Sequence, residues 1–377
     1  MIDVKFLRTI DKYVFGAVTL SVGPLVKAFS RGGGEPPAPR KVLLIKLWAI
    51  GDSVLALPLI YAIKEKYPDA EIDVLCHPSN KPVFENTGGV ISGVIEVNTR
   101  NVLGMFRRYD VCFDTEPYLN FSSILAAFAA KRRVGFRNRF RWLFYHHAVG
   151  TEIDRHAVGK TLEMGTYIGV SGPVRLVPVR CSAESAEAAA TLLAESGITK
   201  GDTLVGFCAS VGTSVKARQW PRENFREAAR RLLGSEKGVK VVLLGTMEDR
   251  ELNEFIRDGN PGIVDLSGKA TLEETFCLVR SMKAFLSNDT GPMHIAAAQG
   301  VRTLGLFGPS SPILWGPFGE GNSHISHGPE VCEYCPCNLP HRGLVPECYL
   351  KGDRKDICIR AITVDEVCGA LLGMMRS

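Results

Sequence analysis

Two polar turns carry the residue types best suited to chemistry. Ser287-Asn288-Asp289-Thr290-Gly291-Pro292-Met293-His294 lies between an apolar run and Ile295-Ala296-Ala297-Ala298, and reads as a strand ending in a tight turn that opens a helix. The first helical N–H groups at such a turn have no intrahelical partner and meet the positive end of the helix dipole, so an anion such as a diphosphate can bind there. Gly51-Asp52-Ser53 holds the matching place after Lys41-Val42-Leu43-Leu44-Ile45-Lys46, where a carboxylate can be held out toward a cleft. Taken alone, each turn reads more readily as a helix cap, through Asp289 or Thr290 in one and Asp52 or Ser53 in the other.

The elements that must position these turns repeat one grammar. Lys41–Lys46 is a β-branched and leucine-rich strand of the kind buried on both faces. Residues 48–53 form a crossing loop, a helix follows from about Val54 to Lys66, and Tyr67-Pro68-Asp69 ends it. Further strands are expected at 71–76, 94–97 and 109–114, with the first domain ending near residue 180. After a helix over 183–196 the pattern restarts with strands at 203–208, 239–244, 262–266, 284–287 and 303–307. Phe225, Ala228, Ala229, Leu232 and Leu233 fall on one stripe of a helix laid on that second sheet. Alternating strands and helices imply parallel sheets with right-handed crossovers. The fold class expected is α/β, two Rossmann-like domains whose strand ends face a central cleft, where both turns would fall.

Length and composition agree with two such domains. The chain has 377 residues, 45% hydrophobic and 23% charged, and its net charge of +5 is too mild to demand nucleic acid as partner. Six cysteines, Cys76, Cys112, Cys181, Cys208, Cys277 and Cys368, are scattered through apolar segments as small hydrophobes, which suits a reducing compartment. The first forty residues stand apart. Lys5, Arg8 and Lys12 lead into the apolar run Val14–Val26, which is short for a spanning helix and is interrupted by Gly23-Pro24. It reads first as an interfacial membrane anchor, with a packed helix, a span or a signal as alternatives, and Arg31–Pro39 reads as a linker.

The motifs in order resemble glycosyltransferase family 9, the lipopolysaccharide heptosyltransferases. The resemblance rests on Lys41–Lys46 with Gly51-Asp52-Ser53-Val54-Leu55-Ala56-Leu57-Pro58, on Lys131-Arg132-Arg133-Val134-Gly135-Phe136, and on Gln219-Trp220-Pro221. It continues through Leu243-Leu244-Gly245 with Glu248-Asp249, Ser287–Ala298 and Leu306-Phe307-Gly308-Pro309, spanning about residues 41–370. It implies the GT-B fold, with 41–182 as the acceptor domain; residues 1–40, read from their own composition as a membrane-proximal segment and linker, lie outside the resemblance. Residues 183–325 become the nucleotide-sugar domain and 326–377 a cysteine-rich tail with a C-terminal helix. It also implies inverting transfer of heptose or a related sugar from a nucleotide diphosphate sugar, ADP-heptose first among them, to a lipopolysaccharide-type or other envelope glycan.

On that likeness Asp52 matches the family's base position. Lys216, Arg218, Gly245, Glu248, Asp289, Thr290, Gly291 and His294 are assigned to the donor. Where the family usually has lysine before Trp-Pro, this chain has Arg218, with Lys216 two residues earlier; either cation could meet phosphate. The stretch Leu47-Trp48-Ala49-Ile50 replaces small hydroxyl residues common in the family, which weakens any claim to heptose specifically. Lys46, Lys131, Arg132, Arg133 and Arg137 are assigned to an anionic glycolipid acceptor. The last four belong to a cationic stretch, with Arg139 and Arg141, interleaved with Phe136, Phe140, Trp142, Phe144 and Tyr145, which also suits a bilayer interface. No nucleic-acid-binding module surrounds it. Cys332, Cys335, Cys337 and Cys348, with Cys358 and His341 nearby, have spacing compatible with structural zinc, though transfer needs no metal or other cofactor. The expected location is the cytoplasmic face of the inner membrane. The rival readings are a GT-B-like sugar-nucleotide epimerase and a non-catalytic zinc-binding scaffold.

Overall fold

The computed structural model describes residues 9–29, 37–212, 215–339, 344 and 347–376. Lys5, Arg8, His341 and the linker residues 31–36 lie outside them. The chain divides into two compact units between Arg175 and Leu176.

In the first unit the strands are β1 (Lys41–Lys46), β2 (Glu71–Cys76), β3 (Gly93–Glu96), β4 (Tyr109–Asp114), β5 (Ala130–Phe136) and β6 (His147–Val149). They form one parallel sheet in the order β3-β2-β1-β4-β5-β6, with Ile45 of β1 level with Leu75 of β2 and Asp114 of β4. Val42, Leu43, Leu44 and Ile45 are fully buried, because helices cover both faces of a parallel sheet. The helices used below are α1 (Gly16–Phe29), entered through a π-helical turn over Asp11–Phe15, α2 (Ile50–Lys66) and α3 (Asn120–Ala129). Helix α2 begins four residues earlier than the sequence suggests, so Asp52 stands in its first turn and not in the crossing loop. The N-terminal apolar run is helical and packs on the rest of the unit by one face.

The second unit contains α4 (Ala183–Glu195), β7 (Thr203–Cys208), α5 (Arg222–Ser235), β8 (Val239–Leu243), β9 (Ile263–Asp265), α6 (Leu272–Arg280), β10 (Ala284–Asn288), α7 (Gly291–Ala298), β11 (Arg302–Phe307), β12 (Ser323–Ser326) and α8 (Val364–Arg376). Its sheet is again parallel, in the order β9-β8-β7-β10-β11-β12. Phe225, Ala228, Ala229 and Leu232 of α5 are fully buried, as their stripe required. Trp220 is sealed in the same core with its Nε1 donating to Ile362 O at 2.9 Å, and α8 adds Val367, Leu371, Met374 and Met375.

Both sheets therefore share one strand order, counted outward in the same way. The order reverses between β1 and β4 in the first unit and between β7 and β10 in the second. Such switch points are where adjacent crossovers leave in opposite directions and open a crevice outside the strand ends. The residues just beyond them are the place to look for chemistry.

Candidate functional site

In the first unit the switch point is filled by three charged side chains. Lys46 ends β1, is 1% exposed, and lies 3.2 Å from Asp52 Oδ2 and 3.4 Å from Glu116 Oε1. Glu116 follows β4 by two residues and also accepts from the backbone N–H groups of Leu47 and Trp48, at 2.6 and 3.0 Å. One buried carboxylate thus holds both the ammonium and the loop that leads into α2. Burial alone would depress the Lys46 pKa, but Glu116 and Asp52 outweigh it and raise the value above that of an ordinary lysine. Burial pushes the Glu116 carboxyl up, against the opposing pull of Lys46 and the Trp48 N–H. The ammonium therefore stays charged and pins one oxygen of Asp52, while the Asp52 side chain keeps 28% exposure. A carboxylate so placed can take up a proton from a bound hydroxyl.

The turn itself is under backbone constraint. Ala49, the N-cap of α2, has φ 67° and ψ 111°, a conformation that favours glycine. The N-cap is Ala49, which has no capping side chain, so neither Asp52 nor Ser53 is the N-cap. Ser53 Oγ donates back to Ala49 O at 3.0 Å and accepts from Asn80 Nδ2 at 2.7 Å, and Asn80 also holds Lys46 O. The loop after β2 is thereby tied to the turn, and Trp48 stacks on His77 with ring centroids 4.7 Å apart.

The second unit's switch point is built mostly from backbone. Asn288, fully buried, accepts from Trp220 N at 3.0 Å and donates to Ala209 O at 2.8 Å, joining the segments beyond β7 and β10. Thr290 is the N-cap of α7, yet its side chain makes no capping hydrogen bond. Ser287 Oγ and Thr290 Oγ1 are 3.0 Å apart, which fixes the hydroxyl beside that turn. Asp289 is 7% exposed and engages Arg218, whose Nη1 donates to Asp289 O at 2.8 Å and to Oδ2 at 3.2 Å. The guanidinium cancels a charge that would otherwise repel an anion at the same turn. Arg218 Nε is buried without a partner among the described residues. Lys216 is exposed, two residues away.

The remaining donor residues separate by role. Gly245 follows β8, and a Cβ there would approach Asp249 to 2.9 Å, where Asp249 and Thr246 cap the next turn. Glu248 is exposed, and a hydrogen bond with the Thr246 side chain holds its carboxyl below the usual range. His294 is 4% exposed within α7, so it belongs to the packed interior and not to the open end of the helix.

The residues assigned to the acceptor fall at different places in the first unit. Lys46 is buried between the carboxylates of Asp52 and Glu116, which take up its ammonium. Lys131 lies at the opposite, amino end of the sheet, 3.1 Å from Asp110, whose other oxygen accepts from the N–H groups of Arg40 and Lys41 where β1 begins. Arg132 stands beside it at the start of β5, with Nη1 3.4 Å from Tyr167 Oη. Arg133 is 7% exposed and donates to the carbonyls of Phe144, Ala130 and Lys131, a structural role. Arg141 is fully buried on Asp114 at 2.8 Å, with Tyr145 and Ser122 completing the cluster. Only Arg137 of the assigned acceptor cations is exposed just beyond the carboxyl end of β5, the edge that carries Asp52. Glu116 went unassigned from sequence; its signal was an acidic residue two positions past a strand ending in Asp114.

Cys332, Cys335, Cys337, Cys348 and Cys358 line one small cavity with Asp356. The neighbouring Cys335 thiol brings the Cys337 thiol down to about 7. Among the described residues no three His, Cys, Asp or Glu side chains are grouped so as to hold a metal ion.

Comparison with known proteins follows the same line. Lipopolysaccharide heptosyltransferase 2 of Salmonella typhimurium is 28% identical over 303 residues, 74% of this chain and 85% of that one. Its Escherichia coli counterpart is 26% identical over 304 residues, with the same coverage. Among solved structures, the Escherichia coli ADP-heptose heptosyltransferase II superposes with a TM-score of 0.69 at 21% identity, covering 89% of this chain and 98% of that one. A family 9 glycosyltransferase from Veillonella parvula gives 0.70 at 21% identity, with 89% and 97% covered. These likenesses show the GT-B fold expected from the sequence. Residues 105–338, more than half of the chain, match the family described as glycosyltransferase family 9 (heptosyltransferase). With that match across both units, the chain belongs to glycosyltransferase family 9.

Proposed function

We propose that this enzyme transfers heptose from ADP-heptose to an anionic lipopolysaccharide-type glycolipid, with inversion, at the inner face of the cytoplasmic membrane. Asp52 takes the proton of the acceptor hydroxyl as that oxygen bonds to C1 of the sugar. The bond from C1 to the diphosphate oxygen breaks, and its electron pair leaves with ADP. Lys46 and Glu116 position Asp52 and touch no substrate. In the second unit, the amides of Thr290 and Gly291 and the cations of Arg218 and Lys216 take the departing diphosphate. Glu248 accepts from a donor hydroxyl, and Gly245 leaves room for the nucleotide beside it. Arg137 meets acidic groups of the acceptor.

The observation that carries this reading is the Asp52 carboxylate, half-open and fixed by a buried ammonium at the switch point of its sheet. The choice of donor draws on the relatives named as heptosyltransferases. Family membership favours transfer over the epimerase and scaffold readings. The test is incubation with ADP-heptose and a heptose-free lipopolysaccharide precursor. The reading expects a glycolipid heavier by one heptose, with one ADP released per addition. Turnover of the nucleotide sugar at the same rate without acceptor would refute it.

A further inference from the structure

Helix α1 is held on the first unit at both ends. The Asp11 carboxylate accepts from the N–H groups of Asn120 and Phe121 at 3.0 and 2.9 Å, capping α3, and the Phe15 ring lies 5.0 Å from that of Phe121. At its far end Lys27 Nζ donates to Tyr145 O at 2.7 Å. Between these points Thr19 and Gly23 are fully and closely buried, and a Cβ on Gly23 would meet Leu143 at 2.9 Å. The helix is a fixed element and not a tether.

Among the described residues nothing packs against its other face. Val14, Val18, Val22, Leu25 and Phe29 recur at intervals of three and four residues and so share one side. Their exposure runs from 37% at Val18 to 91% at Phe29, and Tyr13 and Leu20 widen the surface. Beside the helix, Phe140 and Trp142 are 49% and 39% exposed, and the Lys27 ammonium stands 5.7 Å from the Trp142 ring. Lys12, next to Tyr13 in sequence, and Arg137 and Arg139, just before Phe140, are exposed. An apolar stripe, an amphipathic aromatic at its border and flanking cations are the composition of an element that lies in a bilayer interface. Among the described residues no helix is long and apolar enough to cross a membrane.

We propose that α1, with Phe140 and Trp142, is a rigid docking face that seats in the surface of a bilayer containing anionic lipid. The proposal deepens the glycolipid-transfer reading and rests on it for its purpose. Asp11 caps α3 only four residues beyond Glu116, so the docked face is braced on the sheet edge that carries Asp52. A membrane-embedded acceptor would then be presented at a set height to the base.

The test is flotation of the full chain with vesicles of phosphatidylcholine alone and with about one-third phosphatidylglycerol. Neither glycolipid nor nucleotide sugar is present, so the outcome is independent of the transfer reading. Wild type is expected to float with the anionic vesicles, and less so as salt is raised. Leu25→Asp with Phe29→Asp should lower binding about tenfold or more, with an unchanged melting curve since both side chains are exposed. Arg139→Glu should weaken binding to anionic vesicles alone. In the transfer assay, the double variant should lose turnover on vesicle-borne acceptor and keep it on a delipidated, water-soluble one. Equal flotation of wild type and double variant would overturn the proposal, as would a wild type that ignores vesicles and instead dimerises through this face. Flotation without any transfer would sink the enzymatic reading and leave the docking face standing.

Discussion

The two units share a strand order and differ in what they place at its reversal. The first puts charge there as side chains: a buried lysine shared by two carboxylates, one sealed and one half-open. The second puts it there as backbone, a helix start without a side-chain cap, and neutralises its one acid, Asp289, with Arg218. The topology fixes where a crevice opens, and the residues just past the strands fix whether it takes up a proton or receives an anion. On the proposed reading, one fold used twice supplies the base from one unit and the diphosphate contacts from the other.

The sharpest way to break this contrast is to remove the central cation of the first unit. Lys46→Met leaves Glu116 buried and unpaired, and should cost about 3–5 kcal/mol in urea unfolding along with most of the turnover. Adding Glu116→Gln should restore part of the stability. If the single variant is as stable as wild type, the charged cluster is not what holds that turn. The matching change in the second unit, Arg218→Met, should cost about 1.5–3 kcal/mol by stranding Asp289, and should weaken ADP binding in calorimetry. Lys216→Ala should weaken ADP binding several-fold with no loss of stability, since the residue is exposed.

Smaller effects sharpen the picture of the first unit. Burial, together with Arg133, Arg132 and Lys27, lowers the His146 pKa from 6.5 to about 4, and its Nδ1 accepts from Arg133 N. The folded value lies below the unfolded one, so this stability is complete above pH 6.5 and is lost as pH falls toward 4. His146→Gln should flatten the fall in unfolding free energy across that window; an unchanged slope would place the acid sensitivity elsewhere. Ala49→Gly should raise stability by about 1 kcal/mol by relieving the positive φ before Asp52. A loss of stability there would mean that the turn is not strained.

Much of the fold was legible because burial on both faces writes itself as apolar runs. β1, β2, β4 and β7 begin and end where their runs do. β5 was missed as a strand because Lys131-Arg132-Arg133 near its start reads as a solvated patch. Arg133 can lie inside only because three carbonyls receive it, and those partners sit far from any local pattern. Arg141 failed to stand out for the same reason, since its partner Asp114 is 27 residues away. β6 and β12 are short edge strands whose pairing comes from their neighbours and not from their own composition. At the candidate site, Asp52 and the Asp289 turn were visible as motifs. The Lys46–Glu116 contact was not, because it joins two strand ends that only the reversal of order brings together.

The central claim is that Asp52 acts on the acceptor proton and has no part in holding the donor. Asp52→Asn keeps the shape of the side chain and removes its basicity. Measured on one preparation, ADP affinity should stay within about twofold of wild type while kcat for heptose transfer falls by about a thousandfold. Transfer at the wild-type rate, or a loss accounted for by ADP affinity, would contradict it.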